Sequence, residues 1–180
     1  PDRRVVFTPE ELVRLQSEHP EAEIKVESSD IRIFSDDQYR NLGLNVTAEM
    51  SDCDVLFGVK EVPVDALIPN KKYFFFSHTI KKQPYNRKLL KAILDKNIEL
   101  YDHETIVDAT NHRLIGFGRY AGLVGAYNGF RGFGIKYDLF TLPKAETLSG
   151  KEDLIARLKR QTLPNIKIVL TGHGKVGMGA

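Results

Sequence analysis

Three short stretches hold the residue types that proton transfer needs: Lys60-Glu61, Ser77-His78 and His103-Glu104. Each follows an apolar run: Asp54-Val55-Leu56-Phe57-Gly58-Val59, Tyr73-Phe74-Phe75-Phe76 and Ile98-Glu99-Leu100-Tyr101. Runs of that length and composition read as strands. In open α/β sheets, ligands bind outside the carboxyl ends of the strands. The pattern therefore sets a lysine, a histidine and two carboxylates along one rim. A histidine titrates near neutral pH. A lysine acts as a base there only if burial or nearby cations such as Arg4 disfavour its charged form. Each group also has a plainer reading. Lys60 suits a solvated loop, His78 a helix cap or a core histidine, and Glu61 and Glu104 the surface. Three such groups at three strand ends point beyond those readings.

A second motif stands in the last fifteen residues. Ile166-Lys167-Ile168-Val169-Leu170 reads as a strand and enters Gly172-His173-Gly174-Lys175-Val176-Gly177. Gly-x-Gly-x-x-Gly after a strand is how a dinucleotide-binding βαβ unit begins. The first glycine makes the tight turn, the second lets backbone approach a pyrophosphate, and the third lets a helix pack on its strand. The acidic residue that meets the ribose, about 20 residues further on, lies outside these 180 residues. The sequence thus reads as part of a longer protein, with the fingerprint half present.

The elements that must position these groups are legible in outline. Thr8-Pro9-Glu10-Glu11 is a capped helix start, with Leu12, Val13 and Leu15 facing inward. Ala22 to Val26 reads as a strand. Ser35 to Gln38 opens a short helix that Gly43 ends. A helix is expected over 84–96, with Leu89, Leu90, Ile93 and Leu94 inward. Two β-like runs flank Asn111-His112 and predict a hairpin. From 118 to 138, glycines recur every three or four residues (Gly118, Gly122, Gly125, Gly129, Gly132) inside a helical pattern. Each costs about 1 kcal/mol against alanine in a helix interior, so a close backbone approach along that face is expected, in a helix joining two domains. Glu152 to Gln161 reads as a surface helix. Strand and helix alternate and the strands are continuously apolar. This predicts an α/β fold, a mostly parallel sheet with helices on both faces, leading into a Rossmann-type dinucleotide-binding domain.

Composition narrows the function classes. Hydrophobic residues make up 42% and charged residues 28%, ordinary for a soluble globular domain. Net charge is +2, which gives no general affinity for polyanions. The lysines and arginines of 71–91 lack the interleaved aromatics of a nucleic-acid surface beyond Tyr85. Nucleic acid and membrane are therefore not expected partners. The five histidines and Cys53 show no metal-ligand spacing, so no metal is expected. A single cysteine suits a reducing, cytoplasmic setting.

Arg4-Val5-Val6-Phe7-Thr8-Pro9, Val59-Lys60-Glu61-Val62-Pro63 and Phe76-Ser77-His78-Thr79-Ile80-Lys81 together resemble the N-terminal domain of alanine and saccharopine dehydrogenases. The resemblance runs on through Tyr101-Asp102-His103-Glu104 and through Arg113-Leu114-Ile115-Gly116-Phe117-Gly118, and ends on the glycine fingerprint. From His78 to Gly125 the chain is more similar to the lysine-forming saccharopine dehydrogenase and lysine-ketoglutarate reductase branch. One departure stands out: that branch varies its glycine loop, whereas Gly172-x-Gly174-x-x-Gly177 is unbroken here.

The resemblance implies an acid–base pair, Lys60 and His78. It implies substrate contacts from Arg4, Glu61, Glu104, Arg113 and Lys81, and cofactor contacts from Gly172, Gly174 and Gly177. It also implies NAD or NADP as cofactor, an amino acid or opine as substrate, a substrate domain (1–118), a segment (119–180) holding the inter-domain helix and the start of the cofactor domain, and a cleft between the substrate and cofactor domains. A homo-oligomer is among the states open to it. The expected reaction is saccharopine to lysine and 2-oxoglutarate, with alanine to pyruvate and ammonia as the alternative. The same fold occurs in the soluble nucleotide-binding part of proton-translocating transhydrogenases. Such proteins need no acid–base pair, so Lys60 and His78 at strand ends argue against that reading.

Overall fold

The computed structural model describes residues 2–180, which fall into two compact units, up to Ile115 and from Gly116. The first unit opens with α1 (Pro9–Glu18). Thr8 accepts from the Glu11 amide at 3.3 Å, and Glu11 returns a carboxylate to the Thr8 amide at 2.8 Å. This reciprocal cap satisfies two amides that a helix start leaves unpaired. Ser35 and Gln38 repeat the device at α2 (Asp36–Arg40). Strands β1 (Lys25–Glu27) and β2 (Asn45–Thr47) pair in parallel. Leu12, Val26, Tyr39 and Leu44 form the core between these elements. β2 is not among the elements expected from the sequence.

The second sheet carries the chemistry. Its strands are β3 (Val55–Lys60), β4 (Lys72–Phe76) and β5 (Glu99–Asp102), in the order β3-β4-β5 and all parallel. Parallel neighbours need a crossover. A short 3-10 turn at Val64–Ala66 lies between β3 and β4, and α3 (Arg87–Asp95) between β4 and β5. The α/β class and parallel sheet expected from the sequence are thus observed. Leu67, Tyr73, Phe75, Leu89 and Ile93 fill the space between sheet and helix. The expected inward set on α3 needs correction: Leu89 and Ile93 are buried, but Leu90 and Leu94 are exposed. Residues four apart share one line of a helix, and their successors lie about 100° round it.

The other face of this sheet is more open than a continuous apolar run predicts. Phe57, Phe74 and Tyr101 occupy facing register positions and stack at ring separations of 4.6 and 4.5 Å. Phe57 is 51% exposed. The hairpin predicted around Asn111-His112 is present: Val107 bridges Arg113, and the Asp108 amide donates to the His112 carbonyl at 2.9 Å.

The second unit holds α4 (Gly118–Lys136) and α5 (Lys151–Lys159) around Tyr127, Leu142 and Leu154. The Tyr127 hydroxyl donates to the Pro143 carbonyl at 2.9 Å. Of the five glycines expected to mark a close approach on α4, only those at its start do so, and Gly134 near its end packs against Phe140. A Cβ on Gly122 would collide with the Val176 carbonyl, whereas Gly125, Gly129 and Gly132 face open space. The strand expected at 166–170 does not form. Ile168, Val169 and Leu170 are exposed, Val169 by 84%. A strand needs a hydrogen-bonding neighbour, and the described residues of this unit contain none. No helix among the described residues is long and apolar enough to cross a membrane.

Candidate functional site

Parallel pairing brings the carboxyl ends of β3, β4 and β5 to one edge. Lys60 closes β3, His78 follows β4 by two residues, and Glu104 follows β5 by two. At that edge Lys60 Nζ lies 3.3 Å from His78 Nε2, and His78 Nδ1 lies 3.0 Å from a Glu104 carboxylate oxygen. An ionised carboxylate only accepts. Nδ1 therefore donates to Glu104, with Lys81 Nζ also 3.3 Å from it, and in the neutral ring Nε2 accepts from the Lys60 ammonium. The other Glu104 oxygen is 3.5 Å from both Lys81 Nζ and an Arg113 guanidinium nitrogen. The Glu104 side chain is only 3% exposed, so three cationic or polar partners compensate a buried charge. Arg113 reaches it from the predicted hairpin.

β3 delivers Lys60 by an irregularity. Phe57 faces Phe74, but Lys60 rather than Val59 faces Phe76, so one extra residue is inserted between. A bulge of this kind re-aims a side chain at a strand end. His103 holds it, with Nε2 donating to the Gly58 carbonyl at 3.2 Å. His103 is buried against Phe76, and its Nδ1 has no hydrogen-bond partner among the described residues. His78 adopts a left-handed backbone, φ +57°. A non-glycine residue takes that region at some cost and holds it only when its surroundings impose it.

The remaining candidates are placed as follows. Glu61 is exposed, with no hydrogen bond or ion pair among the described residues, and stands outside the cluster. Lys60 is itself exposed, so the burial invoked for a lysine base is not supplied by this part of the chain. Arg4 grips the Asp2 carboxylate through Nε at 2.9 Å and through a second guanidinium nitrogen. That bond, with a smaller contribution from the Lys60 charge, holds the Asp2 carboxyl at about 2, below its ordinary 3.8. The ionised form is favoured in the fold. The tie is therefore complete above about pH 4 and is lost as pH falls toward 2. Asp2 has no sequence signal, since a lone acidic residue near a terminus reads as solvated.

Among the described residues of the second unit the glycine segment forms a turn without the flanking strand and helix of its motif. Gly172 has φ +94°, and a Cβ on Gly177 would strike the Gly172 carbonyl. Nothing lies within 4 Å of a Cβ position at Gly174, which leaves that backbone approachable. The Met178 amide donates to the Gly174 carbonyl at 2.9 Å, opening a helical turn.

Two other features are without such chemistry. A groove of about 620 Å³ runs between α1 and β2, lined by Val13, Gln16, Pro20, Glu21, Ile24 and Leu42 among others. No lysine, arginine or histidine lines it. Among the described residues no group of three or more His, Cys, Asp or Glu is placed to hold a metal ion.

The family described as "Alanine dehydrogenase/PNT, N-terminal domain" matches residues 1–124. Alpha-aminoadipic semialdehyde synthase of Arabidopsis thaliana is 30% identical over 99% of this chain and 19% of its own length. Its mitochondrial counterpart in Bos taurus is 37% identical over 63% of this chain and 12% of its own. The saccharopine dehydrogenase [NAD(+), L-lysine-forming] of Yarrowia lipolytica is 28% identical over 88% of this chain and 47% of its own. The chain thus spans less than half the length of these relatives. It belongs to the alanine dehydrogenase/PNT N-terminal domain family, with relatives named for saccharopine dehydrogenase and alpha-aminoadipic semialdehyde synthase.

Proposed function

We propose that the full-length protein is an NAD(P)-dependent oxidoreductase acting on a C–N bond, and that it converts saccharopine to lysine and 2-oxoglutarate. The observation that carries this is the chain Lys60–His78–Glu104 at one edge of a parallel sheet. A nicotinamide cofactor, when bound, supplies the hydride acceptor. The first unit supplies proton handling and binding, and Gly172, Gly174 and Gly177 of the second are proposed to meet the cofactor's phosphates.

Oxidation of a secondary amine requires its proton to leave, and Lys60 in its neutral form takes it. The substrate imine that results takes up water, for which His78 Nε2 is the base. The protonated imidazole then returns its proton to the departing amine as the C–N bond breaks. Lys60 and His78 stand within one hydrogen bond, so a proton passes between them without bulk water. Glu104 fixes the imidazole tautomer, as the third member of such arrays does. Lys81, Arg113 and Arg4 present cations to the substrate's carboxylates, arginine in bidentate fashion.

Arg4 must release Asp2 to bind a carboxylate. An exposed ion pair is worth about 0.2–1 kcal/mol. Asp2→Ala is accordingly expected to lower KM for saccharopine by about two- to five-fold with kcat unchanged, read from initial rates. A raised KM would show that Asp2 assists binding instead.

The test of the activity uses the full-length protein and nicotinamide absorbance. Saccharopine with NAD is tried in one direction, and lysine, 2-oxoglutarate and NADH or NADPH in the other. Turnover with saccharopine and none with alanine is expected. Turnover with alanine alone moves the protein to the alanine dehydrogenase reading, for which the matched family's name speaks. Silence with both, with tight nucleotide binding, leaves the non-catalytic nucleotide-binding reading. Homo-oligomerisation and a reducing compartment remain part of the proposal, and imaging of the tagged full-length protein assigns the compartment.

A further inference from the structure

The acid–base scheme gives no role to Asp102, the last residue of β5. Its carboxylate is buried, 6% exposed, and forms no ion pair among the described residues. Hydrogen bonds alone satisfy it. One oxygen accepts the Glu104 amide at 2.9 Å and the Ser77 amide at 3.4 Å, and the other accepts the Ser77 hydroxyl. The residues it grips are Glu104 itself and the immediate neighbour of His78. Ser77 extends the clamp, for its Oγ accepts the Thr79 amide at 3.1 Å. Asn86, also buried, donates to the His78 carbonyl at 3.0 Å. His78 is thereby held on both sides in its left-handed backbone.

We propose that Asp102 is a positioning residue: one buried carboxylate ties the loop after β4 to the loop after β5, and so sets His78 against Glu104 and Lys60. The proposal rests on the acid–base reading of Lys60 and His78. Asp102 itself contacts neither substrate nor the transferred proton. Displacing a catalytic group by about 1 Å costs on the order of a hundred-fold in rate. A carboxylate that merely closed the turn after β5 would leave kcat untouched when altered and would change only the melting temperature.

The test uses the full-length protein and two readouts. One is kcat and KM with saccharopine. The other is the rate at which diethyl pyrocarbonate modifies His78, followed by peptide mass spectrometry, which needs no knowledge of the substrate. Asp102→Ala is expected to lower kcat about thirty-fold or more with KM within about three-fold, and to change His78 labelling at least about three-fold. Asp102→Asn keeps an oxygen for the two amides and an NH₂ for the Ser77 oxygen. It is expected to restore kcat to within about five-fold of the parent. Should Asp102→Ala fail to fold, Ser77→Ala removes one link of the clamp and is expected to lower kcat about three- to ten-fold. A folded Asp102→Ala, or failing that Ser77→Ala, with both kcat and His78 labelling unchanged overturns the proposal. A parent protein silent with saccharopine and alanine sinks the activity reading instead, and His78 labelling alone then decides the role of Asp102.

Discussion

Lys60→Met in the full-length protein is expected to lower kcat with saccharopine by about 10²–10⁴-fold, the range lost when a general acid–base group is removed. Methionine matches the length of the lysine stem, and Lys60 is exposed, so the fold should be little affected. An unchanged melting curve beside a collapsed kcat is the expected pair of results. His78 asks for more care in the choice of variant. At φ +57° glutamine is strained, whereas asparagine tolerates the left-handed region. His78→Asn should therefore keep the backbone and lose turnover, while His78→Gln loses turnover and some stability as well. If Lys60→Met and His78→Asn both turn over saccharopine at the parent rate, the roles assigned to the pair are wrong.

Phe75→Ala should cost about 3–5 kcal/mol of stability, the range for removing a fully buried aromatic ring. Phe75 is 0% exposed and sits among Leu67, Tyr73, Leu89 and Ile93 under α3. Domains are stable by only about 5–15 kcal/mol, so this one change takes a large share of the total. A ring on the opposite face of the same sheet provides the contrast. Phe57 lies on the open face and keeps half its surface in solvent, so Phe57→Ala should cost under about 1.5 kcal/mol. Denaturant midpoints at constant slope measure both. Equal losses would mean that in the full-length protein the Phe57–Phe74–Tyr101 face is as closely packed as the α3 side.

Much of the site was legible because it rests on local rules. An apolar run followed within three residues by a titratable side chain marks a strand end, and three such ends point to Lys60, His78 and Glu104. The capping box at Thr8 was legible for the same reason, since cap and reply lie three residues apart. Leu90 and Leu94 were misplaced because the α3 pattern is apolar on two adjacent lines, and only the packing partner chooses between them. The run Ile166 to Leu170 has the composition of a strand, but strand formation depends on a neighbour that composition does not contain.

What the amino-acid order determined by itself is therefore the inventory: which residues close which strands, where helices start, and where a glycine turn stands. The tertiary structure decided the connections. Parallel pairing brought positions 60, 78 and 104 within hydrogen-bonding distance although 44 residues separate the first from the last. An inserted residue in β3 set Lys60 opposite Phe76, where simple alternation would have set Val59. Asp102 became a clamp because β4 and β5 are neighbours. Hydrogen bonds and ion pairs act over a few ångströms in space. Sequence patterns record only separations along the chain, so partners drawn from different strands are fixed by the packing of the sheet.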